Sequence, residues 1–157
     1  MSGHLENYRG TDINGLDPIV IKVYNDLAGT VTRGDVYCLS YERDADSAAI
    51  PWRPTLVVFA DSDTIKRQIV VALEDIADQK WGLVMYRGYC PKIAAASGVD
   101  AIDHYLEGIT LAPGVASVNV HSTTTHVVES FGIATTAYAA GFCEGYLFGI
   151  PCLITVP

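Results

Sequence analysis

The chain has 157 residues, a formal net charge of −8 and no Lys/Arg cluster larger than the pair Lys66-Arg67, which argues against nucleic acid as a direct ligand. Half of the residues are hydrophobic and only 18% are charged, so the length is that of one folded domain rather than a disordered chain. A mean hydropathy of +0.25 requires either a large core or apolar surface buried on partners, and the second is the expectation.

Residues 1–18 are polar and punctuated by Gly3, Gly10, Asn14-Gly15 and Asp17-Pro18, which reads as an extended arm. Leu5, Tyr8, Ile13 and Leu16 are spaced along it by polar residues, as anchors for a neighbouring surface would be. No apolar h-region is present, so no signal peptide is expected. Residues 19–157 form a single β-rich domain. Ile19–Tyr24 is the first strand, with Ile19, Ile21 and Val23 on one face. Thr32–Ser40 reads as a Gly-Asp turn leading into a strand. Tyr41–Trp52 is an acidic loop closed by Pro51-Trp52-Arg53-Pro54, and Leu56–Ala60 is apolar on both faces, as a central strand would be.

The stretch Gln68–Cys90 is the organising element. Ile65, Ile69, Leu73 and Ile76 fit a helical stripe, but the β-branched run Ile69-Val70-Val71 favours a strand. After the polar connector Glu74–Lys80, Leu83–Tyr89 is a strand bounded by Gly82 and Pro91. Its alternation places Leu83, Met85, Arg87 and Tyr89 on one face, with Val84, Tyr86 and Cys90 on the other. A variant of this unit returns at Phe131–Ile154, where Ile133-Ala134 leads to Gly145-Tyr146-Leu147-Phe148-Gly149. The match needs a one-residue gap and reads as a duplicated β unit. Between the copies, Tyr105-Leu106 and Val115–Val120 are short strands, and His121–His126 is a polar loop or β-arch. The C-terminal stretch Phe131–Pro157 carries Glu144, four Gly and two Pro, so it reads as buried β structure rather than a membrane span. The fold class is all-β, a compact barrel of about ten short strands.

Catalytic and metal-binding patterns are scarce. The cysteines Cys38, Cys90, Cys143 and Cys152 lack ligand spacing and are expected as buried, reduced thiols. His121 and His126 have no third ligand near them. Glu74-Asp75 would point opposite ways on a strand, which does not suit acid/base chemistry. No catalytic residue, cofactor or metal is therefore assigned. The aromatics are more informative. Trp52, Trp81, Tyr89 and Tyr146 serve either as core packing or as a subunit or partner interface.

Ala72-Leu73-Glu74-Asp75, followed by Lys80-Trp81-Gly82-Leu83-Val84 and Arg87-Gly88-Tyr89, resembles the head decoration (cement) proteins of tailed bacteriophages. Those chains carry such a hairpin, together with Gly-Asp turns ahead of short strands. Gly34-Asp35-Val36-Tyr37 fits the turn, whereas Gly98-Val99-Asp100 departs from it by an inserted Val. The resemblance spans about Ile19–Ile154. It implies a β-tulip or small β-barrel that trimerises on the capsid surface, with the major capsid protein and further copies of itself as partners. It implies no catalytic residue. Other virion parts (a tail-tube, head-completion or spike-hub component) would share this composition, as would a small β-domain hydrolase or carbohydrate-binding module.

Overall fold

A computed structural model describes residues 18–42, 53–57, 68–95, 105–108, 116–118, 126–137 and 139–156. Among them are nine β-strands and no helix: β1 (Ile19–Tyr24), β2 (Val36–Glu42), β3 (Arg53–Val57), β4 (Ile69–Ala72), β5 (Trp81–Ala94), β6 (Tyr105–Gly108), β7 (Ala116–Val118), β8 (His126–Ala134) and β9 (Phe142–Val156). The protein is mainly β, as its strand-and-turn spacing predicts. All nine strands join one sheet in the order β1-β3-β2-β4-β5-β9-β8-β6-β7, and an additional β1–β5 pairing bends the first five into a closed ring. Closure removes the exposed edges that an open sheet of these apolar strands would offer. The thinnest seam is β1–β3, a parallel pairing with Tyr24 opposite Thr55.

β5 belongs to two structures at once. Its first part pairs with β1 from Tyr24↔Trp81 to Ile19↔Arg87, and with β4 through Val71↔Met85 and Ala72↔Val84. Its second part leaves the ring and pairs with β9 from Arg87↔Phe148 to Ala94↔Phe142. β8 and β6 then extend the sheet beyond β9.

This layout creates two cores. Val23, Tyr37, Leu39, Leu56, Val70, Ala72 and Val84, drawn from every strand of the ring, form one cluster and fill its interior. Val36, Cys38, Ile69, Val71 and Met85, the alternate residues of β2, β4 and β5, pack against Leu106, Phe131, Ala134, Cys143 and Leu147. All four residues of β4 are buried, because each of its faces meets a core. That two-sided burial explains the β-branched run and decides against the helical stripe. It also accounts for much of the apolar excess, which composition alone assigned to partner surfaces. Each fully buried Val, Leu or Met contributes about 1.5–3 kcal/mol, so the second core is a large share of the stability.

Several boundaries differ from expectation. Arg53 and Pro54 are strand rather than loop, with Pro54 opposite Tyr41. Proline is tolerated there because β3 is nearly an edge on its β1 side. β5 and β9 are long and continue through Pro91 and Pro151, where short strands were expected. Pro91 lies where the register shifts between Cys90 and Ile93, and a bulge of this kind requires no ladder donor. The predicted alternation holds for Val84 and Met85 but slips before Cys90, which joins Met85 in the second core. Gly88 lies between them with φ of 107°, a left-handed conformation that shifts the phase of the strand.

The two hairpins of the expected duplicated unit are alike locally. Ala72 faces Val84 in β4–β5, and Ala134 faces Gly145 in β8–β9. Leu73 donates to the Leu83 carbonyl at 3.0 Å, and Thr135 donates to the Glu144 carbonyl at 2.8 Å. The next side chain caps each return: Glu74 Oε1 accepts the Leu83 N–H and Thr136 Oγ1 accepts the Glu144 N–H, both at 2.9 Å. At equal distance along each second strand come the positive-φ residues Gly88 and Gly149. The surroundings nevertheless differ. β5 borders β1, β4 and β9, whereas β9 borders β5 and β8, so the expectation that the two strands hold similar places in the sheet is corrected.

Candidate functional site

The fragments that carry the decoration-protein resemblance lie together. The Gly34 N–H donates to the Ala72 carbonyl at 2.8 Å, and the Ala72 N–H donates back to the Asp35 carbonyl at 2.9 Å. Asp35 Oδ2 accepts the Thr32 N–H at 2.8 Å, and Asp75 Oδ1 accepts the Arg33 N–H at 2.7 Å. Glu74 and Asp75 thus lie in a bend, each bound to a different backbone segment, rather than on opposite faces of a strand. Burial pushes the Asp35 carboxyl above its usual range; the Thr32 N–H opposes this, Asp75 adds to it and Lys92 opposes it. These carboxylates hold turns in place.

Gly82 completes the hairpin. A Cβ there would lie 2.4 Å from Ile76 Cγ1, so only glycine lets the connector fold onto β5. Ile76 is fully buried and exchanges backbone hydrogen bonds with Val31 at 2.8 and 2.9 Å. Asn25, also fully buried, ties the same connector to the end of β1. Its Nδ2 donates to the carbonyls of Gly29 and Ile76 at 2.8 Å and lies 3.2 Å from that of Ala77. Its Oδ1 accepts the Leu27 N–H at 3.0 Å. Sequence reasoning missed this residue, since an Asn-Asp pair after a strand reads as an ordinary turn.

The connector delivers Trp81 to the surface, where it is 42% exposed. Trp81 pairs across the ladder with Tyr24, and the two rings meet edge-on at 5.6 Å. Lys22 Nζ lies 5.8 Å from the Trp81 ring centroid, and the Arg53 guanidinium lies 4.0 Å from that of Tyr24. Arg53 also pairs with Asp26 at 3.5 Å. Cations held over aromatic faces stabilise such a patch. Tyr24, Lys22 and Arg53 were not singled out in the sequence. The alternation of β1 is the signal that could have found Lys22 and Tyr24, because it puts them opposite Ile21 and Val23.

Tyr89 and Tyr146 form a separate cluster. They are directly paired between β5 and β9, with ring centroids 5.5 Å apart. The Tyr89 hydroxyl donates to Glu144 Oε2. Burial, then this carboxylate, pushes the Tyr89 phenol up to about 12. Tyr146 is buried, so its ring serves packing within the protein rather than an outer surface. Eight steps along β5 set Trp81 about 26 Å from Tyr89, and the two cannot belong to one small patch. Leu5, Tyr8, Ile13, Leu16 and Trp52 lie outside the described residues.

Cys38, Cys90 and Cys143 are buried, as expected, Cys90 and Cys143 as free thiols, and the Cys152 side chain lies outside the described set. Burial raises the Cys90 thiol to about 12 and the Cys143 thiol to about 11, values that suit packing and not nucleophilic attack. Among the described residues no group of three His, Cys, Asp or Glu side chains converges as a metal site would.

Fold and site together define an all-β protein with a self-locked hairpin and, among the described residues, an exposed aromatic–cationic corner. No known protein family and no curated protein matches the chain. Among solved structures it is similar to the N base of the head fiber gp8.5 of bacteriophage phi29, with 15% sequence identity and a TM-score of 0.46, over 86% of this chain and 98% of that one.

Proposed function

We propose that this is a virion structural protein without catalytic activity, a decoration (cement) protein that binds the outer face of a major capsid protein lattice as a homotrimer. One observation carries the reading. The Gly34-Asp35 turn and the Ala72–Asp75 hairpin, far apart in the sequence, hydrogen-bond to each other, so the resemblance falls on one structural unit. The acidic groups in that unit are engaged by backbone N–H groups, which fits a scaffold and not acid/base work. A protein that binds the assembled lattice but not its free subunits stabilises the assembly by linkage, with no chemistry needed.

The test is co-sedimentation of the purified chain with capsids of the phage that encodes it. The expected result is saturation at a fixed ratio to the major capsid protein, together with capsids that survive higher temperature. Binding without saturation, or capsids no more heat-resistant than bare ones, would overturn the decoration reading.

A further inference from the structure

The Trp81 corner combines three features that the rest of the described surface lacks together. A tryptophan is 42% exposed, a second ring stands edge-on to it at 5.6 Å, and a cation is poised over each ring. Arg53 is paired with Asp26, so it is Lys22 that stands over an exposed ring without a carboxylate partner among the described residues, in a chain whose net charge is −8. Beside it, the connector exposes Asp78, whose carboxylate has no hydrogen bond or ion pair among the described residues. Gln79 and Lys80 are bonded to Asn25 at 2.9 Å, so this acidic turn is held rigidly next to Tyr24. One molecule therefore displays an exposed tryptophan with the Lys22 ammonium over it and, on the adjoining turn, an unpaired carboxylate.

We infer that this corner is the contact between copies of the chain, with Trp81 and Lys22 of one copy seated on the Asp78 turn of the next. The inference rests on the self-association included in the proposed function and names its surface. Charge complementarity selects the occupant, because an acidic copy of the same chain offers the carboxylate that Lys22 lacks. Trp81 supplies the apolar area, and exclusion of water around it strengthens the charge pair at its rim. Adjacent complementary patches are also what a small closed ring requires, since each copy brings one of each to the axis.

Sedimentation of the full chain, across concentration and in low and high salt, tests this. Expected is association that about 0.5 M salt weakens, and that Trp81→Ala, Trp81→Phe and Lys22→Glu each weaken about tenfold or more. Lys22→Glu leaves an exposed position exposed, so its fold is retained even where a tryptophan variant is unstable. Asp78→Lys alone should weaken association, and the double swap Lys22→Glu with Asp78→Lys should restore it. Association untouched by these variants would overturn the inference and leave self-association standing. A chain that is monomeric at every concentration would overturn both, whereas the capsid experiment judges decoration separately.

Discussion

The carboxylate of Asp75 accepts the backbone N–H of Arg33 at 2.7 Å, joining two turns that are 42 residues apart in the chain. The bond locks the Gly34-Asp35 turn onto the hairpin that feeds β5. Because the site is exposed, water can replace the lost acceptor in part. Asp75→Ala should therefore cost about 1 kcal/mol in urea unfolding, and Asp75→Asn, which keeps an oxygen acceptor, should cost less. Equal losses for the two variants would show that charge, rather than this bond, is what matters.

Much of the fold could be read from residue patterns, for local reasons. Ile19–Tyr24 has the bounds expected of it, and Ile69-Val70-Val71 is strand because branched side chains suit a pleated surface buried on both faces. What was hidden is non-local or irregular. The ring is closed by β1–β5, a pairing of residues such as Val23 and Gly82 with no local signature. The strand course through Pro91 depends on a bulge, which alternation cannot announce. The candidate site divided in the same way. Trp81 was legible as an exposed aromatic candidate, but Lys22, Tyr24 and Arg53 join it only through cross-strand register. Tyr146, an equal candidate by type, lies in the interior.

Gly82 and Ile76 should behave as a coupled pair. A methyl group at Gly82 would fall within 2.4–2.9 Å of Ile76 Cγ1, Cδ1 and Cγ2, closer than packed atoms can sit. Gly82→Ala is expected to destabilise by about 1–3 kcal/mol through overpacking. Ile76→Ala alone should cost about 2–5 kcal/mol through the cavity it leaves. Combined, the two should cost less than their sum, because the new methyl enters the vacated space. Strict additivity in denaturant melts would contradict the close approach.

Asn25 is the polar centre of the barrel end. Asn25→Ala removes the Asn25 partner of the Leu27 N–H and of the Gly29 carbonyl, while the Ile76 carbonyl keeps the Val31 N–H, and should cost about 1–3 kcal/mol. Asn25→Asp separates hydrogen bonding from shape. Ionised, the aspartate cannot donate to any carbonyl; protonated, it donates to one. Its folded-state pKa is therefore raised, and the variant should lose stability as pH rises from acid to neutral. An Asn25→Asp protein as stable as the parent at pH 7 would exclude the donor role.

Alkaline pH should unfold the protein through three buried or half-buried acids. Cys90 is raised from 9.0 to about 12, Cys143 from 9.0 to about 11, and Tyr89 from 10.0 to about 12, burial being the first cause in each case. All three shifts are upward, so the folded state holds protons that the unfolded state has released. Stability is then whole below pH 9, where both states are protonated. It declines as pH rises from about 9 towards about 12, because the unfolded state binds fewer protons there. Urea midpoints should hold from about pH 8 to about pH 9 and fall from there to about pH 11, and Tyr89→Phe should flatten only the part above about pH 10. The thiols give a second readout. Alkylation of Cys90, whose Sγ is bonded to the Lys92 carbonyl at 3.3 Å, should require unfolding and follow its rate. A midpoint that does not change across this range, or a Cys90 that reacts as fast as a free thiol in the folded protein, would show that the second core does not close over these groups.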